Sequence, residues 1–206
     1  MFYQQHGFDF ENMIIKSLTG IDAQKYKKSQ QNGHTAVFDV DKGIHSTKNY
    51  SIKVSRQSLN VWTSDIIRFY DTTSSTNFNM IVGCWYPSTK GKLYTKILEF
   101  HFTPKYHKQL WNNIPREELV TFCDYIKNIP HGKKPQLENQ RIWKERRNDI
   151  FSKYGKGITS INAKIDSRVQ RRVQSGIKLN DLIETGIKYD LYEESYKGLK
   201  LPFIQK

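Results

Sequence analysis

Cysteine is scarce in this 206-residue chain, which has only Cys84 and Cys123. Two cysteines without dense, regular spacing exclude a small disulfide-stapled scaffold, and the six histidines do not combine with them into a zinc-binding spacing. A reducing cytoplasm is the expected compartment. Long apolar runs are also missing, so no segment is expected to cross a membrane, and Met1 to His6 lacks the basic-then-apolar order of a secretory signal. The sequence has no Gly-rich phosphate loop with its lysine, no Rossmann glycine pattern, no internal repeat and no low-complexity segment.

Negative charge is in short supply: 33 Lys and Arg face 20 Asp and Glu, a formal net charge of +13. A fold gains nothing from that self-repulsion, whereas a polyanion would bind to it, so nucleic acid is the expected partner. The excess is local. Between Arg141 and Asn180, eleven basic residues stand against Glu145, Asp149 and Asp166, a net +8, and apolar positions are interleaved among them. That interleaving points to a structured face rather than a solvated charge run.

The length suits one domain with a real core. Apolar spacing predicts an amphipathic helix over 8–18 ended by Gly20, a loop or irregular helix from Asp22 to Gly33, and strands at 35–41 and 49–55. A strand followed by a short helix is expected from Asn60 to Tyr70, ended by the cluster from Thr72 to Thr76. Met80–Tyr86 and Leu93–Phe102 read as a hairpin. Pro115 opens a helix with Leu119, Phe122, Cys123 and Ile126 on one stripe, and a second helix runs from Gln136 to Tyr154, capped by Gly155. From Ile158 to Leu179 both alternation and helical spacing are present, and strands are preferred. The four tryptophans, Trp62, Trp85, Trp111 and Trp143, are assigned to packing rather than base stacking.

The most informative juxtaposition is Asp39, at the end of one apolar run, fourteen positions before Lys53 in Tyr50-Ser51-Ile52-Lys53-Val54-Ser55. Two adjacent strands would bring both to one metal ion and one phosphodiester, with Ile52 and Val54 facing the core. A carboxylate holds a hard cation such as Mg²⁺ through oxygen, and the Ile52 carbonyl is a further candidate ligand. Lys53 would orient or deprotonate water and neutralise charge growing on phosphorus. Glu11, on the first helix, would serve the outer coordination shell or a second metal. Asp41 rivals Asp39 but begins the turn.

For the basic segment the chemistry is DNA contact: Arg bonds guanine in bidentate fashion, Gln does so with adenine, and both grip phosphates. Candidates are Lys164, Ser167, Arg168, Gln170, Arg171, Arg172 and Gln174, with Arg141, Lys144 and Arg147 as a helical stripe.

These residues resemble a known family. Gly7-Phe8-Asp9-Phe10-Glu11, Phe38-Asp39 and Ser51-Ile52-Lys53 look like the PD-(D/E)XK nucleases, and within them the type II restriction endonucleases. The likeness extends over Ser58 to Tyr70 and over Lys164 to Gln174. It implies a restriction-endonuclease-like α/β core, with a mixed central sheet flanked by helices, in a single endonuclease domain over 1–206. The catalytic core would span about 1–130 and the DNA-contacting segment about 136–180. It also implies that Asp39 binds Mg²⁺, that Lys53 is the catalytic lysine and Glu11 the helix acid, and that cleavage of double-stranded DNA leaves 5′-phosphate and 3′-hydroxyl ends; a homodimer is expected because two-fold symmetry matches a palindromic site. One departure stands out: Ser51 occupies the position where the family carries an acid two residues before the lysine. Glu11 is the first candidate to replace it, with Glu99 and Asp65 in reserve. A repair or junction-resolving nuclease of the same fold, and a non-catalytic DNA-binding regulator, are the alternatives.

Overall fold

The computed structural model describes residues 5–29 (side chains from Asp9 onward), 36–43, 45–56, 59–166 and 170–205. Residues 30–33, Thr35, Ser58, Ser167 and Arg168, all read above from sequence, lie outside the described residues. In chain order the elements are α1 (Gln5–Thr19), α2 (Ala23–Ser29), β1 (Tyr50–Arg56), β2 (Asn60–Asp65), α3 (Ile66–Ser75), β3 (Phe78–Ser88) and β4 (Gly91–Phe102). After a 3₁₀ turn at Pro104–Tyr106 come α4 (His107–Trp111), α5 (Arg116–Lys127), α6 (Lys133–Tyr154), β5 (Thr159–Ile165), β6 (Arg171–Lys178) and α7 (Leu179–Glu184). The chain closes with β7 (Tyr189–Tyr192), β8 (Ser195–Tyr196), β9 (Leu199–Lys200) and β10 (Phe203–Gln205). The architecture is α/β, with a mixed central sheet flanked by helices. No helix among the described residues is long and apolar enough to cross a membrane.

Two compact units interleave along the sequence. The first comprises Met1–Val61, Asn77–Phe102 and Gly186–Lys206, and the second Trp62–Thr76 and Thr103–Thr185.

In the first unit, β1 runs parallel to β3, and β3 forms the expected hairpin with β4. The far edge of β4 is shared: β10 pairs along Lys92 to Tyr94 and β7 along Ile97 to Phe100, both antiparallel. The α1 helix covers one face because Phe10, Ile14 and Ile15 form a single apolar stripe, fully buried against Ile52, Ile81, Tyr94 and Ile97. Burial of each such side chain contributes about 1.5–3 kcal/mol before the cost of ordering it. Phe10 stacks on Tyr94 at 4.8 Å and lies over Gly83, where a Cβ would meet ring carbons at 2.3 to 2.9 Å. Only a glycine lets the helix approach this closely. Gly20, at φ +72°, then ends α1.

The strand expected over 35–41 is not a strand. Val37 to Asp39 run as bends, and one bridge, Val40 to Tyr50, touches β1. Asp39 and Val40 both donate their N–H groups to the Tyr50 carbonyl, at 2.9 and 3.1 Å. The next outward N–H of β1, that of Ile52, goes to the Asp39 carboxylate instead of a backbone partner, so no ladder continues.

In the second unit, β5 and β6 are antiparallel strands, as alternation predicts, in a sheet of order β2-β6-β5. Ile161, Ala163, Val173, Ser175 and Ile177 turn inward against helices, and Thr63 hydrogen-bonds Ser175 on that buried side. Leu119, Phe122, Cys123 and Ile126 of α5 are all buried, and Gly155 ends α6 at φ +78°. Trp111 and Trp143 pack inside, but Trp62 is 37 % exposed. Strand alternation decides this: Val61 and Thr63 point in, so Trp62 must point out.

Candidate functional site

Because β1 is the edge of its sheet, every second residue turns its N–H and C=O away from β3. Ile52 is one of these, and its peptide is where the candidate residues meet. Its N–H donates to Asp39 Oδ2 at 2.5 Å, and its carbonyl accepts from Lys53 Nζ at 3.0 Å. Lys53 Nζ also donates to Asp39 Oδ2 at 3.2 Å. The ammonium thus lies between a carboxylate and a main-chain carbonyl, both oxygen donors aimed at one positive charge. Both side chains are largely screened from water, with 19 % of Lys53 and 25 % of Asp39 exposed.

Glu11 stands one residue beyond Phe10, so the packing of that ring on Gly83 sets its position. Its carboxylate pairs with Lys27 of α2 at 2.6 Å. Burial, and then the negative charge of Asp39, push its pKa above the ordinary value, while Lys27 and Lys53 pull it back. Glu11 therefore feels both members of the Asp39–Lys53 pair. Asp41 is raised as well, first by burial and then by Asp39, and its N–H donates to the Tyr26 hydroxyl at 3.1 Å.

The donors present suit a hard cation: the carboxylates of Asp39 and Glu11 and the carbonyl of Ile52, all oxygen. Among the described residues no three His, Cys, Asp or Glu side chains converge as a metal-holding group, so the carbonyl is needed to complete a set. Ser51 lies on the same strand face as Lys53, as period-two alternation requires, and brings a hydroxyl rather than a carboxylate. The two reserve acids are engaged elsewhere. Glu99 is buried, accepting from Asn79 Nδ2 at 2.5 Å and from the Tyr196 hydroxyl at 2.9 Å. Asp65 caps α3, accepting from the N–H groups of Ile67 and Arg68.

The basic candidates divide by what already holds them. Arg171 donates to four main-chain carbonyls, those of Ile129, Pro130, Asp166 and Gln170, at 2.5 to 2.9 Å, and so ties two turns together. Arg172 is exposed and faces Lys164 across the β5–β6 ladder, and Gln174 likewise faces Asn162. Gln170 is exposed, with its N–H on Asp166 Oδ1. On α6, Arg141 pairs with Glu145 at 2.7 Å, Lys144 is exposed, and the Arg147 guanidinium lies over the Trp143 ring while donating to Asn148 Oδ1. Ser167 and Arg168 lie outside the described residues.

Sequence reading did not anticipate Lys27 as the partner of Glu11, nor Trp62 as a surface residue. Counting alternation through Val61, Trp62 and Thr63 would have found the second. Compared with family models, curated proteins and solved structures, the chain matches none.

Proposed function

We propose that the chain is a Mg²⁺-dependent, sequence-specific endonuclease of double-stranded DNA, of the type II restriction class, acting as a homodimer. The observation that supports this reading best is the Lys53 ammonium lying between the Asp39 carboxylate and the Ile52 carbonyl, at 3.2 and 3.0 Å, within the electrostatic reach of Glu11. Asp39, the Ile52 carbonyl and Glu11 would hold the Mg²⁺. When bound, the ion would supply Lewis-acid polarisation of a phosphate oxygen and lower the pKa of water.

The remaining work falls to the chain's own groups. Lys53 would orient the attacking water and offset negative charge on the phosphorane. Water attacks phosphorus in line opposite the 3′-oxygen and gives up a proton to solvent, the bond to that oxygen breaks, and the departing oxygen takes up a proton from solvent, so the products carry 5′-phosphate and 3′-hydroxyl ends. Arg172, Lys164 and Gln174, together with Arg141 and Lys144, supply contacts to phosphates and base edges. Two-fold symmetry would match a palindromic site and let each copy cut one strand. Ser51, a hydroxyl where an acid is expected, favours a second reading as a DNA-binding protein that does not cut.

Incubating the protein with plasmid and Mg²⁺ and sequencing the fragment ends separates these readings. Discrete fragments sharing one terminal sequence are expected. Binding with no Mg²⁺-dependent cleavage would support the non-catalytic reading, and cleavage only of branched or damaged DNA would mark a junction or repair enzyme.

A further inference from the structure

The outward face of the β2-β6-β5 sheet carries an aromatic platform, Trp62, to which the endonuclease reading gives no role. Trp62 is 37 % exposed, and its indole rests directly on Gly176 of β6, where a Cβ would meet ring carbons at 2.7 and 2.8 Å. The glycine leaves room for the ring to lie directly on β6. Its neighbours on this face can all donate hydrogen bonds: Asn162 and Lys164 on β5, Arg172 and Gln174 on β6. Lys164 Nζ sits 4.5 Å from the indole centroid and is a cross-strand neighbour of Arg172. No outward position of β5 or β6 is acidic.

We propose that this face binds single-stranded DNA, with an unpaired base stacked on Trp62 and the flanking phosphates held by Lys164 and Arg172. The proposal rests on the reading of β5 and β6 as a DNA-contacting surface, but not on cleavage. A flat aromatic face selects an unpaired base because a duplex keeps its bases stacked on one another and offers only their edges. The cation at the ring is on a flexible stem, so it can move to a phosphate when a base takes its place. Asn162 and Gln174 present amides that can pair with an exposed base edge, and the net charge of +13 supplies the long-range attraction.

The test uses the full chain in EDTA, so that nothing is cut, with a 15-nucleotide oligothymidylate as probe. Binding is followed by fluorescence anisotropy of the labelled oligonucleotide. Trp62→Ala should weaken binding roughly tenfold to a hundredfold, and Trp62→Phe, which keeps a ring, by no more than about threefold. Oligothymidylate containing bromodeoxyuridine should photocross-link to the wild-type peptide that holds Trp62. The cross-link decides the matter even if the alanine variant fails to fold.

Equal affinity of wild type and Trp62→Ala, or a cross-link that maps elsewhere, would overturn the proposal. So would tighter binding of the matching oligouridylate, which would make RNA the ligand. If duplex DNA is bound or cut while the single strand is ignored, this inference fails and the endonuclease reading stands. If neither form of DNA binds, both fall.

Discussion

Lys53 and Asp39, fourteen residues apart, meet at 3.2 Å off the edge of β1 rather than on a face of the sheet. The peptide of Ile52 makes this possible, because its N–H and C=O both point away from β3 and each binds one of the pair. Lys53→Ala and Asp39→Ala should each lower plasmid cleavage by at least roughly 100-fold, the usual scale for removing such a group. DNA binding measured in EDTA should stay within about threefold, since phosphate contacts dominate affinity. Undiminished cleavage in both variants would refute the assignment.

A methyl group on residue 83 is expected to disturb the same site from behind. Gly83→Ala drives a Cβ into the Phe10 ring, which is fully buried and stacked on Tyr94, so the helix must shift. Overpacking of this kind costs about 1–3 kcal/mol. Because Glu11 follows Phe10, Mg²⁺ affinity should fall along with stability. An unchanged urea midpoint would show that α1 gives way freely.

Much of the first unit was legible in the sequence because its signals are local. The stripe of α1, the β3–β4 hairpin and the strand carrying Lys53 each follow from spacing within about a dozen residues. The segment around Asp39 reads as a strand because its apolar run, Val37, Phe38 and Val40, looks the same whether the next N–H on β1 is taken by a backbone carbonyl or by a carboxylate. The structural ties of Arg171 are hidden for a similar reason. Its carbonyl partners at Ile129 and Pro130 lie some forty residues away, and no local pattern announces them. The division into two units was equally hidden, since each is assembled from separated segments.

Arg171 and Arg172 are adjacent yet should behave oppositely. Arg171→Ala strands four carbonyls and should cost about 1.5–3 kcal/mol of stability, the range for hydrogen bonds to a charged donor. Arg172→Ala should leave stability unchanged and reduce the slope of log affinity against log salt by about 1. Thermal melts and salt titrations of the two variants check this directly. A salt slope that changes only for Arg171 would reverse the assignment.

The second unit should weaken on mild acidification. Burial holds the His107 pKa below the ordinary imidazole value, against a smaller opposing pull from Asp71, while the ring lies 3.1 Å from Thr73 Oγ1. The unfolded chain then takes up this proton at a higher pH than the folded one. This contribution to stability is complete above about pH 6.5 and is lost as the pH falls from there through the lower folded value. Melting temperatures measured from pH 7.5 to 5.5 should drop less for His107→Gln than for wild type. Parallel curves would show that the imidazole titrates alike in both states.

The shared outer edge of β4 has a consequence for biosynthesis. Both strands that cover it, β7 and β10, come from the last stretch of the chain, while β4 itself emerges about ninety residues earlier. During that interval the nascent polypeptide carries an open row of amide and carbonyl groups beside a strongly apolar strand, a ready template for pairing with another molecule. A ribosome that stalls in α7 would release a product prone to self-association, so yield in the cell should depend on how promptly translation reaches Phe203 and its neighbours.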